Sequence, residues 1–279
     1  MTNKKIKKIA LYLFILILGL IMIYPVLWMI SGSFKSDNEI LSGSLNLIPK
    51  EFKDGNYSAG WAGFAGISFF TFFKNSFIVS SISTIATVLS STCIAYALSR
   101  IEFKGRKFWF AVMLVTMMIP AQVILIPQFL IYNKLNLVGT YIPLVLPHFF
   151  GQAFFIYQIM QFMVSIPKEL DESAIIDGCS KYSVFTKIIF PLLKPSIITT
   201  IIIQFYWKWD DFMGPLIYLN NPKTYTVSIA LKLFADAGSS TSYGSMFAMS
   251  TISLIPVFLI FLFFNKYLVQ GISTSGLKD

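Results

Sequence analysis

The chain has 279 residues, of which 56% are hydrophobic and only 13% carry a charge. Its mean hydropathy of +0.70 excludes a water-soluble globular protein, because a soluble domain of this length cannot hide that much apolar surface. A formal net charge of +9 would favour nucleic-acid binding in a soluble protein. Here the basic residues collect beside long uncharged segments, as membrane topology signals do, so nucleic acid is not an expected partner.

Long apolar segments predict six transmembrane helices. About 20 apolar residues are needed for a helix to cross the hydrocarbon core of a bilayer. Pro143 and Pro147 shorten the fourth segment, because proline interrupts helical hydrogen bonding, and the charged residues near position 210 interrupt the fifth. The predicted spans are Ile9–Ile30, Asn75–Ser99, Phe108–Tyr132, Leu146–Val164, Ser196–Leu219 and Ala237–Asn265.

The first apolar segment has a competing interpretation as a signal peptide, since four lysines precede it within residues 4–8. It is too long for a typical signal-peptide core, however. Tyr24, Pro25 and Trp28 also stand where a cleavage site would need small residues. We therefore interpret the segment as the first transmembrane helix.

The distribution of basic residues predicts the orientation of the chain. If the N-terminus is inside the cell, 14 of the 22 Lys and Arg are cytoplasmic and 7 are outside, with Lys208 in the membrane. Basic residues are enriched on the cytoplasmic side of membrane proteins. Both termini are therefore predicted to be cytoplasmic, and the segment after the first helix is predicted to be an extramembrane loop outside the cell.

The segment Ser165–Ser196 lies between the fourth and fifth predicted spans and is amphipathic, whereas a mere connector is usually short and polar. Pro167 suits the first position of a helix, and the acidic residues within 169–172 place negative charge where the helix dipole favours it. Gly178 is well placed to end that helix. A helix of about 11 residues is too short to be stable alone, so it should dock either on this protein's own helix ends or on another subunit.

The spacing of residues in this segment resembles a known family. Glu172–Ala174 is followed by Gly178, Ile188 and Pro191 at the intervals found in the Glu-Ala-Ala loop of binding-protein-dependent ABC importer permeases. The segments 75–100, 206–219 and 266–278 also resemble the second permease of carbohydrate importers, the maltose-type subunit. The departures from the loop pattern are Ser173 for Ala, Cys179 for Ala and Phe190 for Leu.

The resemblance implies a type I ABC importer transmembrane domain: an all-α integral membrane protein with six transmembrane helices and cytoplasmic termini. It also implies a location in the bacterial inner or plasma membrane. The chain then divides into residues 1–73, with the first helix and the extracellular loop, and 74–268, the core permease domain that contains the loop 165–196. Residues 269–279 form a cytoplasmic C-terminal tail.

The same resemblance implies which residues couple the chain to an ATPase subunit. In the family, the loop helix sits in a groove of the ATPase, where its acidic residue pairs with a basic one. The C-terminal tail of the maltose-type subunit reaches into the interface between two ATPases. The corresponding candidates here are Glu169, Glu172, Ala174, Asp177 and Gly178 in the loop, and Gln270, Gly271, Gly276 and Lys278 in the tail.

The chain contains no G-x-x-x-x-G-K-[ST] phosphate-binding motif, so it is not expected to hydrolyse ATP itself. Cys93 and Cys179 give neither a disulfide framework nor metal-ligand spacing. We therefore expect a transport subunit rather than an enzyme, with no catalytic residue, metal or cofactor. The partners implied by the resemblance are a second permease of similar fold, two copies of an ATP-binding subunit, and an extracellular or periplasmic sugar-binding protein with its sugar.

Charged residues inside the fifth predicted span are candidates for the pathway or its gate. Trp207, Lys208, Asp210 and Asp211 lie where an unpaired charge is destabilising, and Lys208 and Asp211 are spaced to pair. An interfacial belt of tryptophan with snorkelling charges explains the same pattern. Two functional alternatives stay open: a proton-coupled secondary carrier that uses Asp210 and Asp211, and an ABC permease for a non-sugar solute. The single histidine, His148, is predicted to have a packing or interfacial role.

Overall fold

The computed structural model describes residues 2–43, 45–235 and 243–273, and within these ranges the chain is helical. The β-type pairing in the described ranges is confined to an isolated bridge between Phe64 and Ile67. This confirms the all-α prediction. The helices are α1 Thr2–Gly32, α2 Asp37–Leu41, α3 Gly55–Ala62, α4 Phe69–Arg100, α5 Arg106–Met117, α6 Ala121–Lys134, α7 Ile142–Val145, α8 Ala153–Val164, α9 Glu169–Ile176, α10 Lys181–Leu192, α11 Lys194–Trp209, α12 Met213–Tyr218, α13 Val227–Ala235 and α14 Tyr243–Ser273.

Between four and six helical segments are long and apolar enough to cross a membrane. In the described part of the chain, four do so without a sharp break: Lys7–Gly32, Phe69–Arg100, Ile142–Val164 and Tyr243–Tyr267. Two bent pairs, α5 with α6 and α10 with α11, raise the number to six if each pair crosses as one span. The predicted six spans are therefore matched only under that count. The predicted start of the sixth span, Ala237, lies outside the described residues.

The third predicted span is not one continuous helix. Helices α5 and α6 meet at an angle of 99°, so the prediction of a single helix over Phe108–Tyr132 is wrong. Pro120 stands at the break in an extended conformation, with φ −59° and ψ 133°. Proline disfavours helical geometry in the residue before it, here Ile119, which explains why the helix stops short of Pro120.

The fifth predicted span is also interrupted. Helix α11 ends at Trp209, and α12 begins only at Met213, so the prediction of one helix over Ser196–Leu219 is wrong. At its other end, α11 is bent by 72° relative to α10. Leu193 lies at this bend, between the helix-restricting prolines Pro191 and Pro195.

The described chain forms two compact units, the first of which contains Met1–Phe70 and Ala230–Ile255. In it, the predicted loop after α1 is ordered by buried polar contacts. The ammonium group of Lys35 is fully buried, donates to the carbonyl of Asn46 and lies 5.8 Å from the ring centroid of Trp28. The carboxylate of Glu39 accepts the backbone N–H of Lys50 at 3.1 and 3.2 Å. The segment is thus a folded part of this unit.

The second unit contains Thr71–Ile229 and Pro256–Asp279. Its main hydrophobic core joins residues of α4, α8, α10 and α11, among them the fully buried Ile159 and Ile189, together with Leu193 at the bend between α10 and α11. Ala174 of α9 belongs to the same core. The loop between α8 and α11 is therefore packed onto the membrane helices along one side.

Candidate coupling loop and polar cavity

Helix α9 begins and ends through local hydrogen bonds, and its first residue is Glu169 rather than the predicted Pro167. At its start, the carbonyl of Lys168 accepts the N–H groups of Asp171 and Glu172 at 2.9 and 3.2 Å. At its end, Gly178 adopts φ +84°, with its N–H donating to Ile175 and the N–H of Cys179 donating to Ala174. This is a Schellman ending, which confirms the predicted role of Gly178. The helix has 8 residues, shorter than the predicted length of about 11.

The two sides of α9 differ in exposure. Ala174 faces the core and is 6% exposed, whereas Glu169, Glu172, Asp177 and Gly178 are all exposed. Two large apolar side chains, Ile175 and Ile176, are also exposed, the latter at 85%. Of the five candidate coupling residues, only Ala174 therefore docks on this chain, and the acids lie on the free side beside apolar surface.

Arg100 at the end of α4 holds the start of α9 in place. Its guanidinium lies 3.0 Å from the carboxylate of Asp171, and the two side chains are only 6% and 14% exposed. The same guanidinium donates to the carbonyls of Met163 and Ile166 at 3.0 and 2.6 Å. We call these contacts the Arg100 clamp, since they join the ends of α4 and α8 to α9.

Burial has the largest influence on the pKa of the Asp171 carboxyl in the Arg100 clamp. It raises the pKa of that carboxyl above its usual value, and the neighbouring Arg100 opposes the rise. One carboxylate oxygen of Asp171 has no hydrogen-bond partner in the described chain. In the sequence, Arg100 is one of the basic residues that predict topology, and no motif there indicates a contact for it. The alternation of an inward Asp171 with outward Glu169 and Glu172 is the one local signal that points to such a contact.

The candidates Lys208 and Asp211 form the predicted pair, with 2.8 Å between the ammonium nitrogen and a carboxylate oxygen. The two residues do not share one helix, however: Lys208 is in the last turn of α11, which ends at Trp209, and Asp211 lies beyond it. The other carboxylate oxygen of Asp211 accepts the N–H of Gly214 at 3.1 Å. An aspartate side chain that binds nearby backbone N–H groups favours a helix start over a helix interior, which explains the break.

Trp207 and Asp210 do not take part in this ion pair. Trp207 packs against Phe154 and Phe155, with ring centroids 5.3 Å away in each case. Asp210 is exposed. Lys208 and Asp211 instead border a cavity of about 580 Å³, which neither Trp207 nor Asp210 lines. The four candidates therefore do not form one site.

His148 is the centre of a buried polar cluster that sequence reasoning missed. The side chain is 4% exposed, and its Nδ1 lies 2.8 Å from the amide nitrogen of Gln152 and 3.2 Å from that of Gln204. The hydroxyl of Thr87 lies 3.2 Å from the same nitrogen. Because Nδ1 accepts amide N–H groups, the ring proton is on Nε2. His148 and Gln152 also line the cavity beside Lys208 and Asp211.

No three His, Cys, Asp or Glu side chains in the described ranges are grouped to hold a metal ion. The polar groups that line the cavity are hydrogen-bonding side chains.

Among the tail candidates, Gln270 and Gly271 belong to the backbone of α14, while Gly276 and Lys278 lie outside the described residues. The role of the tail stays a prediction.

Comparison with known proteins agrees with the family resemblance of the sequence. The profile of the family described as "Binding-protein-dependent transport system inner membrane component" matches residues 86–274. The chain is 34% identical over 274 residues to the arabinooligosaccharides transport system permease protein AraQ of Bacillus subtilis, covering 97% of this chain and 96% of that protein. It is 32% identical over 279 residues to the trehalose/maltose transport system permease protein MalG of Thermococcus litoralis, covering 100% and 99%.

A solved structure shares the fold. One chain of a bacterial ABC transporter involved in the import of the acidic polysaccharide alginate superposes with a TM-score of 0.84. The two are 22% identical, and the match covers 96% of this chain and 98% of that one. Together with the sequence matches, this confirms the predicted kind of membrane fold.

Proposed function

The chain belongs to the family of binding-protein-dependent transport system inner membrane components, and from that premise we propose that it forms half of the pathway of a bacterial ATP-driven sugar importer. Its relatives are permease subunits, so the chain is a transport component and a multi-pass membrane protein rather than an enzyme. Oligosaccharides or disaccharides are named for the relatives AraQ and MalG. A sugar or oligosaccharide is therefore the substrate class proposed here.

The observation that carries the proposal is that the two sides of α9 differ: one packs on this chain and the other is exposed. Its inner side is buried at Ala174 and held by the Arg100 clamp, while its outer side presents Glu172 and Ile176 to the outside of the chain. In the described chain Glu172 has no ion-pair partner. An exposed acid beside exposed apolar groups suits a groove on an ATPase subunit that supplies a basic residue and apolar surface.

The rest of the assembly follows from this coupling. A second permease of similar fold completes the pathway, two ATP-binding subunits drive it, and an extracellular or periplasmic binding protein delivers the sugar. When ATP closes the two ATPases, α9 moves with its groove, and the Arg100 clamp passes that motion to α4 and α8. The pathway then alternates between inward and outward opening, with both termini of this chain and its C-terminal tail in the cytoplasm of the bacterial cell and its spans in the inner or plasma membrane.

Removing the exposed acid of α9 tests the coupling. We expect Glu172→Ala to reduce sugar uptake and ATPase co-purification sharply, at a normal level of the protein in the membrane. The loss of a paired charge at an interface destabilises binding by about 2 to 5 kcal/mol, which weakens docking by a factor of roughly 30 or more. Glu102→Ala is the matched control, because Glu102 is also exposed and predicted cytoplasmic but lies outside the loop.

Glu172→Lys with a charge-reversed ATPase extends the test, since restored co-purification identifies the missing basic partner. Wild-type uptake and ATPase retention in Glu172→Ala would show that the coupling assignment of this loop is wrong. The same holds if Glu102→Ala has an equal effect, because the loss would then report general surface charge.

Cysteine labelling tests the orientation. In a background with Cys93 and Cys179 replaced by serine, we expect Ser58→Cys to react with a membrane-impermeant thiol reagent in intact cells, and Ser180→Cys to react only after permeabilisation. Both serines are exposed, so access depends on the side of the membrane. Labelling of Ser180→Cys in intact cells would reverse the proposed topology.

The geometry of Asp210 and Asp211 does not support the alternative function of a proton-coupled secondary carrier. Both carboxylate oxygens of Asp211 are engaged, one by Lys208 and the other by Gly214. Asp210 does not line the cavity. A carrier that loads and releases protons needs an acid that is free to exchange them within the pathway, and neither aspartate is in that position.

A further inference from the structure

The cavity beside α11 has the size and the lining of a small-molecule site. Its volume of about 580 Å³ lies within the range of about 300–1,000 Å³ typical of ligand pockets. It is bordered by α6, by the segment from α7 to the start of α8, and by the α11–α12 connection. Besides the Lys208–Asp211 pair, the polar side chains that line it are Gln122, Gln128, His148, Gln152 and Tyr218.

The charges of this cavity cancel. Lys208 and Asp211 are the charged side chains among its lining residues, and they are paired at 2.8 Å. The second oxygen of Asp211 is used by the N–H of Gly214. A charged ligand would lose its hydration here without gaining an unpaired counter-charge, so the cavity favours a neutral ligand.

The remaining polar groups suit hydroxyls. Gln128 and Gln152 carry amides, which both donate and accept hydrogen bonds, and the proton of His148 is on Nε2 because Nδ1 accepts from Gln152 and Gln204. The hydroxyl of Tyr218, a residue that is 4% exposed, has no hydrogen-bond partner in the described chain. That oxygen is enclosed by the surrounding side chains, so the amides and the imidazole are the groups that the cavity offers to a ligand.

We propose that this cavity binds a segment of a neutral oligosaccharide on this subunit's share of the pathway. The inference rests on the proposed importer function and adds to it a binding site and the uncharged character of the sugar. Neutral sugar rings present hydroxyl groups that act as donor and acceptor together, which is what amides and an imidazole N–H recognise.

Direct binding to the whole importer tests this site. The complex is held in nanodiscs of phospholipid without glycolipid, so that a sugar-bearing lipid headgroup is not a source of ligand. The probes are radiolabelled arabinotriose, maltotriose and galactotriose, with trigalacturonate as the anionic comparison. We expect the wild-type complex to bind at least one neutral probe more tightly than trigalacturonate.

Variants of the lining residues separate binding from folding. Gln128→Leu and Gln152→Leu should each weaken the neutral probe by about fivefold, the effect of one lost hydrogen bond. Thermal unfolding of the empty complex, measured for each variant, distinguishes a loss of binding from a loss of the fold. Gln161→Leu is the matched control on the exposed surface of α8, away from the cavity, and should bind as wild type.

A charge variant tests the preference for neutral ligands. Asp211→Asn keeps an oxygen for the N–H of Gly214 but leaves Lys208 unpaired, so it should shift the preference towards trigalacturonate by about tenfold or more. The site is refuted if no neutral probe binds to the wild-type complex, or if Gln128→Leu and Gln152→Leu bind as Gln161→Leu does. It is also refuted if Asp211→Asn leaves the preference unchanged. ATPase retention, measured on the same samples, separately reports whether the coupling role stands.

Discussion

Helix α9 and the surroundings of His148, both in the second unit, differ in whether their charged side chains are paired within the chain. In α9, Glu169, Glu172 and Asp177 are exposed and make no ion pair within the described chain, and one buried contact, the Arg100 clamp, holds the helix. Around His148, the charges of Lys208 and Asp211 are balanced internally and the imidazole has three polar neighbours. The charge of α9 is therefore available for the proposed contact with an ATPase subunit, whereas the charges that line the cavity balance each other.

The largest effect is expected from removing the Arg100 clamp, on which α9 depends. Arg100→Leu should lower the free energy of unfolding by about 3–5 kcal/mol, because it leaves Asp171 buried without its charge partner. Asp171→Asn should be milder, since burial already raises the pKa of that carboxyl and Asn removes a charge that burial disfavours. Thermal unfolding of the purified protein measures both. Equal unfolding temperatures for Arg100→Leu and wild type would mean that the clamp does not hold the loop.

A smaller effect is expected at the end of α9. Gly178 has φ +84°, and a side chain there would meet nothing within 4 Å, so only the backbone conformation restricts this position. Gly178→Val should strain the turn by about 1–2 kcal/mol and reduce uptake and ATPase retention. Gly178→Asn is the control, because asparagine tolerates the left-handed conformation, and it should retain most activity. Equal losses in both variants would point to a contact of the glycine itself with the ATPase.

The smallest effect is expected in the His148 cluster, where contacts are redundant. Thr87→Val removes one of three polar neighbours of Nδ1 but keeps the volume of the side chain, while the amides of Gln152 and Gln204 remain. We expect thermal unfolding to report a loss of about 1 kcal/mol or less, with the uptake KM unchanged. A loss as large as that of Arg100→Leu would show that the cluster depends on every member, and the contrast between the two regions would fail.

The pattern of the sequence anticipated the parts of the fold that depend on local chemistry. Long apolar runs predicted α1, α4 and α14, because a helix that crosses the hydrocarbon core needs about 20 predominantly apolar residues in succession. The residue spacing at Glu172–Gly178 predicted the exposed helix and its glycine ending, since helix ends are set by residues within a few positions. The bend before Pro120 was missed because prolines within membrane helices also occur without breaking them, as Pro25 does in α1.

By itself, the sequence determined that the chain is a membrane protein and to which family it belongs, and it predicted the segment proposed to contact an ATPase. Composition, charge distribution and motif spacing are properties of the linear sequence, so they can be read before the fold is known. Only the tertiary structure decided which polar groups pair within the chain: Arg100 with Asp171, and the amide of Gln204 with His148. These partners lie 71 and 56 positions apart. Such contacts depend on how helices pack, and packing joins side chains whose separation along the chain carries no signal of their meeting.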